Sequence, residues 1–165
     1  MPYFDIYVLS DHRDLPTLER YYAHFSNRAA LEQLPAGHEI YVQPNEQYQQ
    51  PELELPVRTL TELLRIGVEH PTYCFKFYSS GGERPDLHSV DVCFTKDGKV
   101  VFFAALADTG PGSYARACRV RNEMSRVTGA RKSFIGYEHP PPYDEAEFDE
   151  DVLGWQPMWD EGNEL

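Results

Sequence analysis

His12 lies between two carboxylates in the stretch Asp11-His12-Arg13-Asp14. Histidine with neighbouring carboxylates can ligate a metal or move a proton. Either chemistry needs a second ligand or a base at defined spacing. His24, His38, His70, His88 and His139 are scattered, and none pairs with Cys or Glu in a known metal or catalytic pattern. A polar turn accounts for His12 without a metal. Cys74, Cys93 and Cys118 are odd in number and match no zinc or redox spacing, so they read as buried thiols in a reducing compartment. No stretch has the pattern of a nucleophile elbow, a metalloprotease helix or a Walker phosphate loop. The expectation is therefore no catalytic residue, no metal and no cofactor.

One loop carries a phosphate-like feature. Gly110-Pro111-Gly112-Ser113 follows a strand pattern and opens a helix pattern, where free backbone N–H groups can hold an anion. It resembles the acetyl-CoA loop of the N-acetyltransferase superfamily, Gln/Arg-x-x-Gly-x-Gly/Ala, with Gly110 and Gly112 at the two small positions. Ala107 stands where that pattern has Gln or Arg, and Asp108 would set negative charge beside the pyrophosphate. The resemblance implies an acyl-CoA enzyme; the residues alone describe a structural turn.

The C-terminal segment holds the sharpest signal. Net charge is −12, and residues 133–165 contain ten acids and no Lys or Arg, whereas residues 1–132 hold seventeen acids against fifteen bases. The acids are interrupted by Tyr143, Phe148, Val152, Leu153, Trp155, Met158 and Trp159, and both tryptophans of the chain are here. Aromatic anchors among carboxylates suit capture of a basic protein: rings fill pockets and charge speeds encounter. The candidate partner-binding residues are Tyr143, Phe148, Asp149, Glu150, Asp151, Trp155 and Trp159. The competing reading is that Trp155 and Trp159 pack on the domain and close its core. Such acidity repels nucleic acid and anionic membranes. No apolar run approaches the roughly 20 residues a membrane helix needs, and Met1 leads into PYFDIYVLSD without a leader pattern. A cytoplasmic protein is the expectation.

The elements that must position these groups follow from periodicity. Residues 3–9 alternate as a strand, and Asp14 caps a helix with Leu18, Tyr22, Phe25 and Ala29 on one face, running to about Leu34 with a break near Ser26-Asn27. Residues 38–43 read as a second strand, and 44–56 as a polar loop in which Tyr48 is a candidate contact. Thr59-Leu60-Thr61-Glu62 is a capping box, followed by Leu60, Leu63, Leu64 and Val68 as an apolar stripe that His70-Pro71 ends. Residues 72–107 contain three runs rich in β-branched and aromatic residues, the pattern of an antiparallel meander; Asp97-Gly98 predicts a two-residue hairpin turn. Phe75, Phe77, Val92, Phe94, Val101, Phe102 and Phe103 are its expected core, with Phe102 and Phe103 on opposite faces. A helix over 113–128 buries Ala117, Val120, Met124 and Val127. Its other face carries Arg116, Arg119, Arg121 and Arg126, with Arg131 and Lys132 beyond, and the acidic tail is expected to fold back near it. Residues 133–137 form a last strand.

The predicted class is α+β: a mostly antiparallel sheet centred on the meander, helices packed on it, and an acidic C-terminal segment. Residues 1–138 form the domain, and residues 139–165 the acidic aromatic segment packed on it. Size, acidity, the KDGKVVFF hairpin and the aromatic–acidic segment together resemble the bacterial immunity proteins that neutralise polymorphic toxins. That resemblance implies a cognate toxin domain as partner and an interface in place of catalytic residues. The alternatives are the acyltransferase-like enzyme and an acidic adaptor or inhibitor of another basic protein.

Overall fold

Strand β1 (Tyr3–Ser10) is an inner, almost wholly buried strand of the sheet. The computed structural model describes residues 2–26, 29, 41–42, 53–54, 58–77 and 84–160; for 41–42, 53–54, 75–77 and 156–160 this covers the backbone alone. Among these, β1 is followed by α1 (Leu15–Phe25), β2 (Tyr41–Val42), β3 (Leu53–Glu54), α2 (Leu60–Glu69), β4 (Phe75–Phe77), β5 (Leu87–Phe94), β6 (Val100–Ala107), α3 (Ser113–Thr128), β7 (Lys132–Tyr137) and α4 (Glu145–Asp160). Five strands form one sheet in the order β4-β5-β6-β1-β7, and every neighbouring pair is antiparallel. β2 and β3 pair separately. The fold is α+β. The path β1, helix, β5, β6, α3, β7 with spatial order β5-β6-β1-β7 is the split β-α-β arrangement, extended at one edge by β4.

The meander over 72–107 is present as β4, β5 and β6. Its hairpin differs from the sequence expectation. Thr95 N–H donates to the Lys99 carbonyl at 3.1 Å, which leaves Lys96-Asp97-Gly98 as a three-residue loop, and Gly98 takes the left-handed conformation with φ 81°. Thr95 supplies the reason: its hydroxyl accepts from Lys99 N–H at 2.8 Å and holds the wider loop closed. The first helix runs to Phe25 and is capped at Ser26, where the break was expected; residues 30–34 lie outside the described residues. Ala29 is exposed. Tyr48 lies outside the described residues. The capping box at Thr59 forms in one direction only. Thr59 Oγ1 accepts from Glu62 N–H, but the Glu62 carboxylate takes the N–H of Arg58, one residue earlier.

Successive strand residues point to opposite faces, and the two faces hold two cores. On one, Ile6, Val8, Phe102 and Ala104 meet Leu18, Tyr22, Leu63, Leu64, Val120 and Met124 of α1, α2 and α3. On the other, Tyr7, Leu9, Val101, Phe103 and Phe134 meet Phe148 of α4. Val92, Phe94, Val101, Phe102 and Phe103 are buried as expected; the side chains of Phe75 and Phe77 lie outside the described residues. Of the cysteines only Cys93 is buried, while Cys74 and Cys118 are half-buried at the margins. Burial pushes the Cys74 thiol up to about 11.

Two close fits fix α2 against the sheet. A Cβ added to Gly67 would lie 2.4 Å from the Phe94 ring, so the helix approaches nearer than any side chain allows. Arg13, from the turn after β1, donates to five carbonyls: Gly67 at 2.7 Å, Thr95 at 2.8 Å, Lys99 at 3.2 Å, His70 at 3.0 Å and Tyr73 at 2.8 Å. Its guanidinium also lies 4.8 Å from the Phe94 ring centroid. One side chain thereby satisfies the carbonyl end of α2 and the base of the β5–β6 hairpin.

Candidate functional site

The acidic C-terminal segment is a helix, α4. Pro140, Pro141 and Pro142 precede it, and Asp144 caps it by accepting from Glu147 N–H at 2.8 Å. Glu147 reaches back to Tyr143 N–H at 2.8 Å, which completes a capping box displaced by one residue.

Its first turn is clasped to the end of the sheet by charge. Asp144 pairs with Lys96 at 2.8 Å. Glu145 meets Lys99 at 2.7 Å, Arg131 at 2.6 Å and Lys132 at 2.8 Å. Hydrogen bonds from Lys132, Lys99 and Arg131 hold the Glu145 carboxyl down to about 2. Lys96 N–H donates to the Tyr143 carbonyl at 3.1 Å, and Glu145 N–H to Asp97 at 3.0 Å. The hairpin loop is therefore the dock for this helix.

The inner face of α4 is apolar. Phe148 is 0% exposed and meets Phe134 edge-on, with ring centroids 5.0 Å apart. Trp155 is half-buried beside the His139 ring at 5.5 Å and over Gly136. A second polar cluster sits at this end. His139 Nε2 lies 2.9 Å from Asp151, and His139 N–H donates to Asp5 at 2.7 Å. Asp5 is 7% exposed, and burial pushes its carboxyl up to about 6. Tyr7 hydroxyl donates to the His139 carbonyl. Glu138, which sets this turn, has φ 50°, an uncommon conformation for a residue with a side chain.

The outer face is different. Ala146, Asp149, Glu150, Leu153 and Gly154 are exposed, at the spacing of one helical stripe. Leu153 is 76% exposed and is the large hydrophobic most open to solvent among the described residues.

These positions divide the expected partner-binding set. Asp149 and Glu150 face outward, although Asp149 also pairs with Lys132. Phe148 does not: it completes the second core and cannot meet a partner. Asp151 turns inward to His139, Trp155 packs on the same histidine, and half-buried Tyr143 engages the hairpin through its backbone. The Trp159 side chain lies outside the described residues. The competing reading, which named Trp155 and Trp159, holds in part for Trp155, while it is Phe148 that closes the core. Leu153 was visible in the sequence as one apolar residue among several; only its phase on a helix singles it out.

The tail also folds elsewhere than expected. It covers the sheet face opposite α3. Of the basic set, only Arg131 and Lys132 reach its acids among the described residues, while Arg116, Arg119 and Arg126 stay exposed on the far side. The molecule thus has a basic helical face and an acidic one, with the sheet between.

The Gly110–Ser113 loop binds itself. Gly110 N–H donates to Asp108 at 3.1 Å, Thr109 N–H to the Ser113 hydroxyl at 3.0 Å, and Ser113 N–H to the Gly110 carbonyl at 3.0 Å. Asp108 occupies the position of an anion, and Arg116 closes over Thr109 and Ser113. Gly110 and Gly112 both have positive φ, which a turn of this shape requires. Among the described residues, no group of three His, Cys, Asp or Glu side chains is placed to hold a metal ion, and no helix is long and apolar enough to cross a membrane. Comparison with family models, with curated proteins and with solved structures finds no match for this chain.

Proposed function

We propose that this chain is an immunity-type protein that binds and neutralises a basic toxin domain through the outer face of α4. The observation that carries the reading is Leu153, a large apolar side chain held open to solvent between Asp149 and Glu150 on a rigidly clasped helix. An apolar anchor with an acidic rim is the pattern of a helix that docks on a basic groove. The clasp and the inner core hold the helix in place before any partner arrives, which lowers the ordering cost of association. The charges set encounter and fade in salt, while the anchor sets dissociation. The self-satisfied Gly110–Ser113 loop favours no acyl-CoA reading.

The test is capture of the product of a neighbouring toxin-like reading frame. The parent should retain it and protect cells that express it. Leu153→Asp should dissociate faster, and Glu150→Gln should associate more slowly with a flatter salt dependence, while both keep the parent's melting profile. If both variants bind a confirmed toxin as the parent does, the outer face of α4 is not the interface.

A further inference from the structure

A cavity of about 350 Å3 opens on the helical side of the sheet, between the start of α1 and the end of α3. Its walls bring together His12 of the turn after β1, Arg20 and His24 of α1, and Arg126 of α3, four nitrogen-bearing side chains from three stretches of an acidic chain. Thr17 lines the same cavity. Gly129 makes room for the His12 ring: its φ is 64°, and a Cβ there would lie 3.0 Å from His12 Cδ2.

Among the described residues, neither guanidinium of this cavity meets a carboxylate. Arg20 Nε donates to the Val127 carbonyl at 2.8 Å, and Arg20 Nη2 lies 3.3 Å from the Thr17 hydroxyl. Arg126 makes no hydrogen bond or ion pair among the described residues, and Arg20 has no carboxylate partner there. The carboxylates that approach the walls are already engaged. Asp14 caps α1 by accepting from Thr17 N–H at 2.9 Å and lies 4.0 Å from His12 Nδ1. Glu123 is shared between His24 and Arg84. The carbonyl end of α3 accounts for Arg20, which it binds directly, but forms no bond with Arg126. Two guanidinium groups from different helices, with the Thr17 hydroxyl and the exposed His12 ring, form a donor-rich concavity for an oxyanion. The volume lies at the small end of ligand pockets.

We propose that this cavity binds the phosphate group of a small anion, inorganic phosphate or a phosphomonoester. Arg20 and Arg126 hold the oxygens from two sides. The site is separate from the α4 face and does not depend on it.

Titration of the 15N-labelled protein with inorganic phosphate, at constant ionic strength against chloride, reads the site directly. The expected result is saturable shifts at the amides of Thr17, Val127 and Gly129. Arg126→Gln removes an exposed, unpaired guanidinium, so the fold is retained and the affinity should fall about tenfold or more, or about 1.4 kcal/mol. Ribose 5-phosphate at matched concentration separates the two sources: tighter binding than phosphate assigns the rest of the cavity to the organic part, and equal binding assigns a free-phosphate site. Shifts that stay linear, or that saturate identically in Arg126→Gln, would overturn the proposal.

Discussion

Replacing Phe148 by Ala measures whether α4 is part of the fold or an appendage. The ring is fully buried between α4 and the sheet, edge-on to Phe134 and in one cluster with Tyr7, Val101 and Phe103. Truncating a buried Phe costs about 3–5 kcal/mol, the sum of lost transfer energy and the cavity left behind. The low end applies here, because a single helix can settle toward the sheet and fill part of the space. A loss of about 3 kcal/mol is a large part of the roughly 5–15 kcal/mol that holds a domain together. For a chain of this size it should lower Tm by roughly 6–12 °C. Urea unfolding gives the free energy, and hydrogen exchange gives the place: amides of α4 should lose protection before those of β1 and β6. Leu153→Ala is the internal control, since an exposed side chain should change stability by no more than about 0.5 kcal/mol. A cost below about 1 kcal/mol for Phe148→Ala, with the parent's urea dependence, would refute the second core.

Three further outcomes follow from the geometry. Arg13→Lys keeps the charge but has three donors for five carbonyls, so at least two of these bonds are lost, although the Lys99, His70 and Thr95 carbonyls each keep a backbone N–H; denaturant unfolding should show a loss of about 1–3 kcal/mol. Gly67→Ala adds a better helix former, yet its methyl would meet the Phe94 ring at 2.4 Å; a loss of about 1–3 kcal/mol is expected, and a gain in Tm would show that the ring can move away. Asp5 has its carboxyl raised from the usual 3.8 to about 6, so the neutral acid suits the fold better than the carboxylate. Its contribution is fully present below pH 3.8 and is lost as pH rises through about 6. Asp5→Asn, whose amide oxygen can still accept from His139 N–H, should remove that part of the pH slope and melt higher than the parent at neutral pH; parallel melting curves from pH 4 to 7 would contradict the burial of this carboxylate.

The elements legible in the sequence were those whose signal is local. The meander, the stripe of Leu60, Leu63 and Leu64, and the buried face of Ala117, Val120, Met124 and Val127 each follow from a period written within one stretch. The sheet order was not legible, because β1 pairs Tyr3 with Ala107 on one side and Phe4 with Tyr137 on the other, across most of the chain. α4 went unread as a helix because its acids masked a usable start signal: Asp144 followed by Glu147, with Tyr143 and Phe148 in staple positions. Without the helix its phase was unknown, so Phe148 and Asp151 could not be told from Glu150 and Leu153. The candidate docking face was thus read at the level of its segment and not of its residues. Arg13 and the phosphate cavity depend on partners from segments far apart in the chain, which no spacing rule joins.

The placement of charge on either side of the sheet gives the molecule an orientation in an electric field. Arg116, Arg119 and Arg126 lie beyond one face, and the outward acids of α4 beyond the other. An approaching cationic surface therefore exerts a torque as well as an attraction, and turns α4 toward itself once it comes within about a Debye length, about 8 Å in physiological salt. Two copies at low ionic strength meet the same torque and align front to back. That contact joins unlike faces, so a pair leaves a free face at each end, and further copies close it only where the rotation completes a ring.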